Sequence, residues 1–318
     1  MEKTADMKKN TQTNLDISFI FLVLPVLFLI IGYFVYPYPS ENLQTIIQIP
    51  LFLGLILLFA GVIFKNKNYS QWLKISGWTV FAFYWATQPA HLYFGGEEDI
   101  VNAVICIIGV FVLMYIAYHE WLSLKRDETI SCLNWIAGAS AIAGIIYFGI
   151  EKSPLAVSLI YEVAKQSAFV LDLLIGNVTV GSPSMHTPIY HNGEYVVSII
   201  FACTAIQSFV IFVGMIGALP KIDLKRRIIG LLITILPVYF LNLLRNALVA
   251  FLTVRNITDF NIAHNYIAKG GSLVALIVLL LIVVKIIPEI LDEIYCLIDL
   301  HKRNGPLEKF FKKITGKK

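Results

Sequence analysis

Eight long apolar runs separated by short polar stretches organise this chain: 17–36, 44–64, 75–94, 100–121, 130–150, 203–219, 228–252 and 266–286. Runs of about 20 apolar residues are long enough to cross a hydrocarbon core of roughly 30 Å. Backbone polar groups inside lipid must be satisfied within the segment, so such runs form helices. None alternates in the way a membrane barrel strand does. The pattern predicts an all-α polytopic membrane protein of about eight transmembrane helices. Lys3, Lys8 and Lys9 precede the first run, which is too long for a cleaved signal and has no small-x-small site after it. It reads as an anchor.

Three segments break the rhythm. Residues 155–176 are apolar enough to resemble a span, but they carry Glu162, Lys165 and Asp172, and their apolar positions recur at helical spacing. This predicts an amphipathic helix lying on the membrane surface. In the polar stretch that follows, two β-prone runs flank His191-Asn192-Gly193. Asn-Gly between such runs predicts a short β-hairpin, whose second strand leads straight to Cys203. Residues 288–301 form a second amphipathic pattern. Lys309, Lys312, Lys313, Lys317 and Lys318 follow it, a composition suited to an anionic inner leaflet.

Composition agrees with the runs: 58% of residues are hydrophobic and 14% charged, and mean hydropathy is +0.75. With the N-terminus inside, 20 of the 25 Lys and Arg residues fall on cytoplasmic stretches, and only Lys152, Lys165 and Arg255 fall outside. Positive residues favour the cytoplasm, so both termini are expected there, in a cell membrane. The surface helix must not cross, or Lys221, Lys225, Arg226 and Arg227 would face outward. The expected organisation is a cytoplasmic tail at 1–16, one transmembrane domain at 17–286 with an extracellular insertion at 151–202, and a basic cytoplasmic tail at 287–318. The net charge of +4 belongs to inner-face lysines and predicts no nucleic-acid partner. Asn177 and Asn256 head outward-facing Asn-x-Thr tripeptides.

Cys106, Cys132 and Cys296 are expected to act as small packing residues, without a disulfide framework. No Cys-x-x-Cys or Cys/His spacing suggests zinc, and no His-Glu-x-x-His surrounds His186, His191 and Glu194. Neither a metal nor a cofactor is expected.

The candidate chemistry gathers at one membrane level. Cys203 is expected to open the sixth helix at the outer surface. Arg245 lies 17 residues into the seventh run, a climb of about 26 Å at 1.5 Å per residue. His264 precedes the eighth. Each has a plainer reading: Arg245 as a snorkelling side chain, His264 as a loop residue, Cys203 as packing. Together they suit acyl transfer. An adjacent base activates a thiol, His264 can also protonate a leaving amine, and Arg245 can stabilise an oxyanion. Thr204, Gln207 and Asn242 are candidate substrate-binding residues. Lys269 can hold a carbonyl or headgroup phosphate, or snorkel to the interface.

In Ala202-Cys203-Thr204-Ala205, Asn242-Leu-Leu-Arg245-Asn246 and Ala263-His264-Asn265 followed by Gly270-Gly271, the chain resembles the exosortase/archaeosortase family. The likeness covers roughly residues 190–275; the first five runs match only in being apolar. Many bacterial members have Ser-Gly after the cysteine, so Thr204-Ala205 leans archaeal. Some archaeal members have Arg in the third position, which leaves Arg255 as a competitor to His264.

The resemblance implies a sorting enzyme whose partners are surface-protein precursors ending in a motif, a transmembrane helix and a basic cluster. It would cleave them through a thioester on Cys203 and pass them to an amine-bearing membrane lipid. The rival readings are an anion transporter using Arg245 and Lys269, a His264-dependent membrane acyltransferase, and a non-catalytic assembly protein. A transporter predicts broken helices and midplane sites; here the polar groups cluster at one face.

Overall fold

The computed structural model describes residues 2–36, 41–95 and 99–316, with side chains placed from residue 17 and, in the second stretch, from residue 45. Expectations attached to Lys3, Lys8, Lys9, Lys317 and Lys318 lie outside these side chains. The chain divides into two compact units, 1–141 with 293–318, and 142–292.

The first unit contains α1 (Glu2–Val35), α2 (Glu41–Ile63), α3 (Lys67–Ala86), α4 (Gln88–Phe94), α5 (Ile100–Lys125) and the start of α6 (Ser131–Glu151). The second holds the rest of α6, then α7 (Leu155–Ile175), β1 (Val178–Val180), β2 (Thr187–His191), β3 (Glu194–Ile199), α8 (Ile206–Gly217), α9 (Leu224–Val254), α10 (Lys269–Ile286) and the start of α11 (Glu289–Ile298). The end of α11 and α12 (Pro306–Thr315) return to the first unit.

The protein is an all-α polytopic membrane protein with a small sheet. Six segments among the described residues are long and apolar enough to cross a bilayer, not eight: Ile17–Val35, Thr45–Ile63, Ile100–Lys125, Ser131–Glu151, Leu224–Val254 and Ile262–Ile286. The third expected span is broken at Thr87, which caps both α3 and α4. Pro89 stands in the first turn of α4, where its ring forbids continuation of the preceding helix. α3 also buries Gln71 and Lys74. The sixth falls short because α8 has 12 residues, about 18 Å of helix. It starts at Ile206, not at Cys203.

In the first unit, two buried carboxylates, Glu120 and Glu308, are paired. Lys74 Nζ lies 3.0 Å from Glu120 Oε1, with the two side chains 3% and 1% exposed, and donates to Asn134 Oδ1 at 2.5 Å. The C-terminal tail is not one amphipathic helix but α11, a 3-10 turn (Asp299–Arg303) and α12. Its Leu307 and Glu308 are buried. Tyr115 and Tyr118 hydroxyls donate to Glu308 at 3.0 and 2.9 Å, and His119 Nε2 lies 3.3 Å from Oε1. Arg303 donates to the His119 carbonyl and the Ser123 hydroxyl and pairs with Glu128. Lys309, Lys312 and Lys313 stay exposed. The tail reads from sequence as a surface element because nothing local reveals α5 as its partner.

Cys132 and Cys296 are joined as a disulfide across 164 residues, which overturns the expectation that both are packing thiols. Cys106 is free. A pairing of that separation leaves no local signature.

In the second unit, α7 presents Ala156, Ile160, Val163, Ala164, Ala168 and Leu171 to a core shared with Ile189, Val197 and Ile199 of the sheet, Phe201 and Cys203, and Leu243, Ala247 and Ala250 of α9. α7 is thus one-sided: one stripe is covered, and its open face carries Glu162 and Lys165 together with Phe169, Leu173 and Leu174. The expected hairpin is β2–β3, antiparallel, but β1 pairs on its other edge, giving three strands. Asn192 and Gly193 have φ of 52° and 84°, which are the left-handed conformations a two-residue hairpin turn requires.

Candidate active site

Cys203 is presented by a folded-back junction. β3 ends at Ile199, and Phe201–Cys203 form one 3-10 turn. The turn is locked twice on the Phe201 carbonyl, by the Thr204 amide at 3.0 Å and the Thr204 hydroxyl at 2.7 Å. Thr204 therefore has a structural job, and it is 2% exposed. Ala205 then turns left-handed, with φ 67° and ψ −7°. Its carbonyl accepts from the Ser208 and Phe209 amides, which starts α8. A non-glycine residue in this region costs about 1–2 kcal/mol, and such strain clusters at functional sites. The Ser-Gly of the bacterial pattern puts glycine at this position, where it carries no such cost.

The motif around Arg245 has a physical explanation. Asn242 and Asn246 are one turn apart on α9, so they share a face. Their side-chain amides both donate to the Cys203 carbonyl, at 2.7 and 3.0 Å. Asn246 also reaches Ser167 Oγ on α7 at 3.4 Å. Both asparagines are buried, and a buried amide without partners costs about 1–3 kcal/mol. The pair thus fastens the backbone of Cys203 to α9 at the level of Arg245. That level is 21 residues above Leu224, a climb of about 32 Å.

Arg245 points elsewhere. It lines a cleft of about 230 Å³ with Ala205, Ser208, Ala268, Gly271 and Ser272, and its flanks are leucines of α9 and α10. Its Nε is buried and has no hydrogen-bond partner among the described residues. A buried charged donor left open inside an apolar cleft is destabilising, and an exception of this kind calls for a ligand or reacting group to explain it.

His264 is not in a loop. It sits in a π-helical turn, Ile262–Ala268, that runs directly into α10. Such turns are rare and recur at functional sites. The turn packs on α9 through Ala263 and Ala268 against Val249. The imidazole stacks on Phe260, with centroids 5.3 Å apart and planes 11° apart. Ile267 and Ala268 line the cleft but His264 does not. Lys269 is half-buried and is also absent from the cleft lining. Arg255 is exposed and lies over the Phe251 ring at 6.0 Å, ten residues and about 15 Å beyond Arg245 along the chain. Gln207 is exposed at the start of α8. His191 is occupied by the Gly176 carbonyl and Asn192.

The structure thus ties the Cys203 backbone to the Arg245 helix, while the buried Cys203 side chain, like His264, is absent from the lining of the Arg245 cleft. Sequence reasoning missed three contributors. Asn246 was visible as a repeat of Asn242 at i+4. Ala205 and Phe260 had no signal, since alanine does not announce a left-handed turn and an aromatic in an apolar chain is unremarkable.

No family model matches the chain, and no solved structure matches it either. Two curated proteins do. Archaeosortase A of Natronomonas pharaonis is 27% identical over 250 residues, covering 69% of this chain and 77% of that protein. Archaeosortase A of Haloferax volcanii is 23% identical over 265 residues, covering 72% and 85%. Both relatives support the resemblance to the archaeosortase/exosortase family. The matched length exceeds the 190–275 motif region, so the likeness extends beyond the motifs into the apolar helices that sequence reading could match only by hydrophobicity.

Proposed function

We propose that this protein is a membrane cysteine peptidase and transpeptidase that removes the C-terminal anchor of surface proteins and passes them to an amine-bearing membrane lipid. The observation that carries this reading is the double clamp of Asn242 and Asn246 on the Cys203 carbonyl, which ties the thiol-bearing residue to the helix of Arg245, a cleft-lining residue whose buried Nε has no hydrogen-bond partner among the described residues. The similarity to archaeosortase A in two archaea supports a sorting enzyme.

In the first half-reaction the Cys203 thiolate attacks the scissile carbonyl. Arg245 stabilises the oxyanion by donating into the space where negative charge develops. The C–N bond breaks, and the leaving amine takes its proton from the His264 imidazolium. The thioester holds the protein chain on Cys203. In the second half-reaction a lipid amine attacks that thioester, its proton goes to the imidazole, and the Cys203 thiolate leaves. Thr204 shapes the turn, while exposed Gln207 and half-buried Lys269 serve as contacts for substrate or headgroup. The active site faces outward, both termini are cytoplasmic, and the protein sits in an archaeal cell membrane.

Co-expression with a surface protein carrying a motif, a C-terminal helix and a basic tail tests this. Wild type shortens and lipidates the precursor, and Cys203→Ala leaves it full length. Processing by Cys203→Ala at the wild-type rate sinks the proposal. The third member is decided by comparing His264→Ala with Arg255→Ala: the one whose loss removes processing completes the site.

A further inference from the structure

A second constellation lies in the first unit, away from Cys203. Cys132 is the second residue of α6, and Glu293 and Cys296 are one turn apart on α11. The two Sγ atoms and a Glu293 carboxylate oxygen all lie within 4.8 Å of one another. Cys132 is 0% exposed and Glu293 9% exposed. The carboxylate is held on one side only: Oε1 accepts the Ser131 hydroxyl, while Oε2 is buried with no hydrogen-bond partner among the described residues. A disulfide bonds Cys132 to Cys296, but it does nothing for that oxygen. A buried carboxylate oxygen without a partner is costly, and a disulfide sulfur supplies no donor to satisfy it.

We propose that, in their thiol form, Cys132 and Cys296 join Glu293 to hold one zinc-class divalent cation, with water in the fourth position. Two thiols and a carboxylate match the ligand preference of such an ion, whose bonds are about 2.3 Å to sulfur and about 2.0–2.2 Å to a carboxylate oxygen. Tetrahedral ligation sets the two sulfurs about 3.8 Å apart, so they must part from the disulfide for an ion to enter between them. Ser131 orients the carboxylate, the kind of supporting contact that metal ligands usually have. Binding releases two protons as the thiols become thiolates, and the position of Cys132 at the start of α6 favours that anionic form. Metal and disulfide are mutually exclusive closures of one gap. A phosphine reductant converts the second into the first: the phosphorus takes the oxygen of one water, two electrons pass to the disulfide, and two thiols result. The ligands escaped sequence reading because Cys132 and Cys296 are 164 residues apart and the Glu-x-x-Cys spacing alone is common.

The test uses the full chain purified in detergent under phosphine reduction, incubated with zinc and passed through a desalting column. Wild type is expected to retain about one zinc per chain by elemental analysis. Cys132→Ser and Cys296→Ser should fall to background, Glu293→Gln should bind about 100-fold more weakly or worse, and Ser131→Ala should show a smaller loss, about tenfold, at the low end of what supporting contacts cost. A second reading needs no variant: cobalt(II) added to reduced wild type should give thiolate-to-cobalt charge-transfer absorption, and prior oxidation should abolish it. Reduced wild type that holds no more zinc than Cys132→Ser and gives no such band overturns the proposal and leaves a structural disulfide.

Discussion

Two places in the molecule, the Lys74 and Glu308 pairings and the Arg245 cleft, treat buried charge in opposite ways. In the first, Lys74 meets Glu120, and Glu308 meets two tyrosines and a histidine. In the second, Arg245 lines a cleft and its buried Nε has no hydrogen-bond partner among the described residues. Closing each charge against a neighbour makes it a fastener; leaving one open makes it a tool. The buried pair positions helices and does no chemistry, because nothing can approach it. Arg245 carries an unmet demand that a developing oxyanion would meet.

The contrast can be broken from either side. The largest effect is expected at the fastener. Lys74→Met strands Glu120 in the interior, and removing one partner of a buried pair costs about 3–5 kcal/mol. Thermal unfolding in detergent should drop accordingly, and the double variant Lys74→Met with Glu120→Leu should recover most of the loss. Arg245→Ala should behave in reverse. Precursor processing falls about 10²–10³-fold, as for loss of one oxyanion donor, while thermal stability holds or rises. Parallel losses of both would place Arg245 among the fasteners.

An intermediate effect concerns pH. Burial pushes the Glu308 carboxyl up, but the hydrogen bonds from His119, the backbone and Tyr118 outweigh it and hold the group at about 2. A carboxyl depressed in the folded state contributes stability above its unfolded value and loses it as pH falls through the folded one. Docking of α12 should therefore weaken between about pH 4.5 and pH 2, read as faster proteolysis of the tail. Glu308→Gln should be weakly docked already and flat over that window.

Smaller effects test the clamp. Asn246→Ala removes one donor to the Cys203 carbonyl and should cost about 1–3 kcal/mol together with a fall in processing. Asn246→Asp should not rescue, since a carboxylate cannot donate. Smallest is Ala205→Gly, which relieves the left-handed turn; stability should change by about 1 kcal/mol or less. Ala205→Val should destabilise by more, since a β-branched side chain suits that conformation least.

Elements written in a single local period were legible in the chain. The spans in α1, α2, α5, α6, α9 and α10 follow from apolar length, α7 from its stripe, and the β2–β3 turn from Asn192-Gly193. What escaped depends on distant partners or on backbone choices that side chains do not encode. Thr87 and Pro89 divide an apolar run that hydropathy alone joins. The π-helical turn at Ile262–Ala268 has the same residues an α-helix would have. Glu308 looks like any surface carboxylate until Tyr115 and Tyr118 are folded around it. The nearness of Cys203 to the helix of Arg245 was expected from the order and length of the apolar runs. The asparagine clamp between them was half-visible, since Asn242 and Asn246 reveal a face but not what it holds.

Trapping the covalent intermediate tests the reading most directly. Purified wild type mixed with a precursor, without an amine-bearing lipid, should accumulate an adduct of the enzyme and the shortened protein that hydroxylamine releases and that maps to Cys203. Cys203→Ala should form none and leave the precursor intact. An adduct on another residue, or shortening of the precursor by Cys203→Ala at the wild-type rate, would contradict a thioester at this site.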